Sequence, residues 1–241
     1  MIFKQTCPVL HSDEGKTGSS QSMKLLYITI FFFLLSCLVA GIAMAQKKVA
    51  ELTLVYNYSL TSVGQTTPTF TASNTFYVKG ALSCSELRSS LFSSSTIYDA
   101  NTGMAVVLRE VNGQKLLIRL NQDNWEDKNK QYQGLAFRKL PETKVIAGYK
   151  CEKATATTKD GFTITVYYTR EIVTSNKDYD PQFKNLDGLP MEYELTNGQL
   201  TIKNSMVSIN LNPVPASRFD IPKSGYRELT YDESKKLNAG N

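Results

Sequence analysis

Three sets of side chains in this sequence have types and spacing that suit chemistry. Glu192 and Glu194 lie two apart in a strand-like run, so both carboxylates face one side. Glycoside hydrolysis needs two carboxylates about 5–10 Å apart across a cleft. Met191, Tyr193 and Leu195 take the alternate positions, which reads as an apolar inner face behind a solvated acidic outer face. Asn176, Asp178 and Asp180 follow the spacing of a calcium loop, with Asp187 at its last ligand position. Pro181 stands where such a loop needs glycine, so the segment reads as a polar surface loop and no metal site is expected. Trp125 sits in the polar run 121–127, either as an anchor that folds a loop onto a sheet or as a platform for a ligand.

The missing chemistry is as informative. The only histidine is His11. If the N-terminal segment is removed, no Ser-His-Asp or Cys-His arrangement and no His-containing zinc site can be built. The sequence has no G-x-S-x-G elbow, no phosphate-cradling glycine loop and no dinucleotide fingerprint. Catalytic residues and cofactors are therefore not assigned, and a non-enzymatic protein is expected. The net charge of +5 is scattered, with no basic stripe for nucleic acid.

The N-terminus reads as an export signal. Residues 28–44 carry no charge, follow Lys24, and lead to Ala43-Met44-Ala45 before Gln46. These are the positive region, apolar core and small-x-small site of a secretory signal peptide. The expected organisation is an extension or mis-assigned start over 1–22, a signal peptide over 23–45 cleaved after Ala45, and one domain over 46–241. Leu34-Leu35-Ser36-Cys37 resembles a lipobox, but the apolar run continues beyond Cys37, so lipid anchoring there is the less favoured reading. Cys84 and Cys151 remain in the exported part, either bridged or as two buried thiols.

The elements that must position these side chains read as strands and tight turns. Leu52, Leu54, Tyr56 and Tyr58 alternate with Thr53, Val55 and Asn57. Asn112-Gly113, Asp160-Gly161 and Asn197-Gly198 each separate two alternating runs and suit type I′ hairpin turns. Three hairpins in series predict an antiparallel meander. Short helices are expected over 85–92 and 232–237, a loop with one helical turn over 178–186, and a last long strand over 206–211.

One stretch is recognisable. Ile146-Ala147-Gly148-Tyr149-Lys150-Cys151-Glu152-Lys153-Ala154 leads through a hairpin to Tyr167-Tyr168-Thr169 and then to Gly188-Leu189-Pro190. This order resembles the GLPGLI family of exported proteins from the Bacteroidetes, over residues 145–226. Met191-Glu192 departs from the family's naming motif, and Tyr167 stands where the family often has Trp. The resemblance implies an envelope location and a curved antiparallel sheet similar to lipoprotein-carrier folds. It implies no known activity. Gly188-Leu189-Pro190 reads physically as a tight strand entry, with glycine supplying backbone freedom and proline fixing φ.

The fold expected is mainly β, a curved antiparallel sheet or half-open barrel with few short helices. Such a sheet can hold an apolar or lipid-like ligand on its concave face. The lining expected from alternation is Leu116, Ile118, Ile164, Val166, Tyr168, Tyr193 and Leu195. The same residues would equally form a closed core. The alternative is an interaction protein that docks an outer-membrane partner through an exposed apolar patch or a free strand edge.

Overall fold

The computed structural model describes residues 46–239. The expectations for the extension, the signal peptide and Cys37 lie outside the described residues. The described residues form one compact unit.

The chain is mainly β. Its strands are β1 (Lys47–Val49), β2 (Glu51–Ser62), β3 (Phe70–Lys79), β4 (Leu82–Arg88), β5 (Phe92–Asp99), β6 (Met104–Val111) and β7 (Gln114–Leu120). After helix α1 (Gln122–Lys128) come β8 (Arg138–Ile146), β9 (Tyr149–Thr157), β10 (Thr163–Thr169), β11 (Ile172–Thr174), β12 (Leu189–Thr196), β13 (Leu200–Asn210) and β14 (Arg227–Leu229). Helix α2 (Tyr231–Ala239) follows.

Twelve strands make one sheet in the order β14-β7-β6-β5-β4-β3-β2-β13-β12-β10-β9-β8. Two antiparallel runs, β2 to β7 and β8-β9-β10-β12-β13, are joined where β2 pairs with β13, while β11 pairs in parallel with β1 in a separate two-stranded sheet. The sheet stays open, with β8 and β14 as its edges. It is nonetheless strongly curved: Tyr98 on β5 and Tyr193 on β12 line one cavity although four strands lie between them.

The pairing of β6 with β7 turns on Asn112 and Gly113, both with positive φ, as a type I′ turn requires. The other two expected turns differ. Only Gly161 and Gly198 take positive φ there. The first is a longer connection closed by Gly161 N–H donating to the Thr158 carbonyl, and the second is held by Asn197 Oδ1 accepting from Gln199 and Leu200 N–H.

A type I′ turn that composition does not advertise joins β8 to β9: Ala147 has φ 48° and Gly148 φ 85°. An L-residue held in that region pays about 1–2 kcal/mol. Ala147→Gly should therefore raise stability by about 0.5–1 kcal/mol after glycine's larger entropy loss. A urea midpoint that falls or stays put would count against this turn geometry.

Three other expectations are corrected. Residues 85–92 are not a helix, because residues 82–88 pair along their whole length with β3 and β5. Their serines give weak helix and strand signals alike, and the two flanking ladders decide. Residues 206–211 do not form a separate strand but continue β13 past an irregularity between Met206 and Ser208. The polar run 121–127 is mostly helical as α1, capped by Asn121 Oδ1 accepting from Asn124 N–H. Helix α2 covers 232–237 as expected, and the 178–186 loop contains short 3₁₀ turns at Lys177–Tyr179 and Pro181–Phe183.

The inner face of β2, β3, β10 and β12 packs with Tyr179, Phe183, Leu186 and Leu189 into the main core. A smaller core joins β5, β6 and β7 with Trp125, Leu229 and Tyr231. On the outer face of β3 and β4, Lys79 Nζ donates to the Val214 carbonyl and the Arg218 guanidinium lies 4.6 Å over the Tyr77 ring.

Candidate functional site

A groove runs between the inner face of the sheet and a cover made by α1 and residues 177–185. It exists because strands β4 and β5 place small hydroxyl side chains on the inner face where bulky apolar ones would fill it. Ser83, Ser85 and Thr96 form this part of the floor, beside Asn74 on β3 and Asn204 on β13. The two amides meet across β2, with Asn74 Nδ2 donating to Asn204 Oδ1 at 3.1 Å. The inner cavity holds about 310 Å³, and a wider outer part of about 760 Å³ adjoins it. Both are lined by Tyr98, Trp125, Asn129, Tyr132 and Pro181.

Trp125 stacks on Tyr98 with ring centroids 4.6 Å apart and 17° between planes. It is thus an anchor of α1 on the sheet, as one reading of the sequence has it, and it also walls the groove. Asp180 belongs to the cover, where its Oδ1 accepts from Gln182 N–H at 3.1 Å. Burial raises its carboxyl from 3.8 to about 6, against the lowering effect of that hydrogen bond. The Tyr56, Tyr132, Tyr179 and Tyr193 phenols all feel the charge of Asp180 and are held above their ordinary range, mainly by burial. Lys128 is lowered by burial and then by the nearby Arg109 charge. Tyr56 Oη donates to the Pro190 carbonyl at 2.8 Å.

Two buried polar atoms of the cover have no protein partner: Tyr179 Oη, on a residue only 8% exposed, and Gln182 Nε2. Leaving such a group unpaired costs about 1–3 kcal/mol, and both atoms are closed off from solvent. Both residues line the inner cavity.

Of the side chains expected to line a binding face, Tyr193 and Leu195 border the inner cavity. Ile164, Val166 and Tyr168 are fully enclosed in the main core. Ile118 and Leu116 belong to the smaller core, on the far side of the sheet order. The groove residues Gln182, Ser85 and Thr96 were not foreseen, and Asp180 was singled out only as a calcium-loop position; the serine and threonine run at 93–96 was the one available signal.

The remaining candidates have structural partners. Glu192 pairs with Lys144 at 2.8 Å and Glu194 with Lys203 at 3.0 Å on the outer face, while Met191, Tyr193 and Leu195 are buried behind them. Asp178 pairs with Lys184, Asp187 with Arg170, and Asn176 Oδ1 accepts from Asp178 N–H, although Asn176 Nδ2, away from the groove, is a third buried atom without a protein partner. Among the described residues no group of three or more His, Cys, Asp or Glu is placed to hold a metal. Cys84 and Cys151 are both free and buried, with five strands between them in the sheet order. Burial pushes their thiols up to about 12 and about 11, which leaves them unreactive.

The family-motif residues are structural as well. Gly148 makes the β8–β9 turn, Tyr149 packs against the main core, and Cys151 is enclosed in it. Leu189 and Pro190 are buried, and Pro190 sits beside a register shift where β10 meets β12. That irregularity is where a central strand tolerates a residue without N–H. Gly188 does not need unusual backbone freedom, contrary to expectation. A Cβ there would collide with the Thr169 carbonyl oxygen and lie 2.6 Å from Tyr168 Cδ2. Among the described residues no helix is long and apolar enough to cross a membrane.

No family model matches this chain, and no curated protein does either. Among solved structures it is similar to PNGF-II in two crystal forms, with TM-scores of 0.48 and 0.47 and 14% and 15% identity. Each match covers 77% of this chain, which spans only 32% and 33% of PNGF-II. An uncharacterized conserved protein from Thermus thermophilus is similar at a TM-score of 0.45 and 10% identity, over 78% of this chain and 92% of that one. A LolA superfamily protein from Nitrosomonas europaea is similar at a TM-score of 0.33 and 8% identity, over 73% and 91%.

Proposed function

We propose that this chain is an exported, non-catalytic protein of the cell envelope that holds a small ligand on the inner face of its sheet. The observation that carries this reading is the open groove on that face, lined by Tyr179 and Gln182, whose Oη and Nε2 lack a protein partner just behind its wall. A folded chain tolerates such groups where binding needs them. The export-signal pattern at 23–45 and the GLPGLI resemblance support the envelope location. The lack of histidine after His11 and the outward pairing of Glu192 and Glu194 support a binding role over a catalytic one.

A melting experiment tests this. A low-molecular-weight extract of the native envelope should raise the melting temperature of the purified chain. Ligand at about 100 times its Kd adds about 2.7 kcal/mol, worth about 5–10 °C for a chain of this size. An unchanged melt, with the chain co-eluting with an envelope protein, would favour the second reading. That reading has its own observation: Val63, Leu91, Val111 and Leu200 are exposed aliphatic side chains at or beside turns on one end of the sheet. They would be the contact for an outer-membrane partner.

A further inference from the structure

We infer that the groove takes a neutral saccharide. This rests on the binding role proposed above and names the class of ligand for the same groove.

The lining combines two features that a sugar needs together. Its hydroxyls need many hydrogen-bonding side chains. Its C–H faces need aromatic walls. The inner cavity supplies hydroxyls from Ser83, Ser85 and Thr96, amides from Asn74, Asn204 and Gln182, and the phenol of Tyr179. The outer part adds the amides of Asn101, Gln122, Asn129, Gln133 and Asn185. Trp125 and Tyr98 form the aromatic wall shared by both parts. Aromatic rings with an apolar body and a polar tip suit a ligand that is itself apolar on its faces and polar at its edges. The two volumes fall within the range of about 300–1,000 Å³ in which small-molecule sites occur, enough for a short oligosaccharide reaching outward from the cover.

Other classes fit worse. An acyl chain on this floor would strand its amides and hydroxyls without water, at about 1–3 kcal/mol for each unpaired group. An anion would need cationic partners, and the groove offers only Lys128 in its inner part and Lys184 in its outer part, the latter already paired with Asp178 at 2.6 Å. A peptide bound as an added strand would need a free strand edge. The floor strands β2, β3, β4, β5 and β13 are all paired on both sides, and the free edges β8 and β14 line neither part of the groove.

Trp125 is the only tryptophan, so its emission reports on the groove alone. The test titrates the purified full chain with neutral di- and tetrasaccharides of glucose, mannose, galactose and N-acetylglucosamine, and separately with a C16 fatty acid. The expected result is a saturable change in emission with at least one saccharide series. Gln182→Met, which keeps the side chain's length and removes its unpaired donor, should weaken that binding about tenfold while leaving the urea midpoint equal or higher. Equal affinity in Gln182→Met would overturn the assignment. Saturation by the fatty acid with no response to any saccharide would overturn the saccharide class and leave the binding role standing. No response to either class, together with a flat melt in envelope extract, would remove both.

Discussion

Replacing Gly188 by alanine should destabilise the protein by at least about 3 kcal/mol. The new methyl would meet the Thr169 carbonyl oxygen and the Tyr168 ring, 2.6 Å from its Cδ2. Neither can withdraw. Thr169 is a fully buried residue of β10, and Tyr168 is enclosed in the main core. Relief would therefore come from shifting β12 away from β10, which would disturb the Tyr56 hydrogen bond to Pro190. For a chain of this size the loss corresponds to a melting temperature lower by about 6–12 °C. Gly198→Asn is the control. Gly198 has φ +84° and open space around its Cα, so asparagine, which tolerates that region, should cost well under 1 kcal/mol. A Gly188→Ala variant as stable as Gly198→Asn would show that the approach of β10 to the strand entry is looser than described.

The second large effect is a pH-dependent gain from Asp180→Asn. Burial holds the Asp180 carboxyl at about 6 in the folded protein, against 3.8 for the free group. The folded state therefore binds the proton more tightly than the unfolded one. The wild-type contribution is favourable below the unfolded value and is lost as pH rises from about 4 through about 6. Above that window the protein carries a half-buried carboxylate without a basic partner among the causes of its shift. Asparagine keeps the oxygen that accepts from Gln182 N–H and never ionises. Asp180→Asn should thus be about 3 kcal/mol more stable than wild type at pH 8, with a gain under about 1 kcal/mol at pH 4. Urea melts at the two pH values would check this. A gain of the same size at both would attribute the effect to packing rather than ionisation.

What could be read from the sequence follows from how local the signal is. The β6–β7 hairpin was legible because Asn112-Gly113 and two alternating runs lie side by side in the chain, and both strand ends fall where those runs end. The outer placement of Glu192 and Glu194 was legible for the same reason: alternation names the face of each side chain. Alternation does not say whether that face is covered. Ile164, Val166 and Tyr168 were correctly turned inward, but residues 172–189 close over that part of the sheet and make it core. The groove was illegible for the converse reason. Its floor is serine and threonine, which carry no hydrophobic period, and its cover is a loop and a seven-residue helix. The curvature that brings β5 towards β12 arises from the pairing of β2 with β13, strands more than a hundred residues apart in the chain.

Native mass spectrometry of the chain purified from its own envelope, under non-denaturing and then denaturing conditions, tests most directly whether the groove is a ligand site. The account predicts a small-molecule mass above that of the polypeptide, lost on denaturation and much reduced in Gln182→Met. A bare polypeptide mass from both proteins, under conditions gentle enough to keep a known weak complex intact, would contradict it.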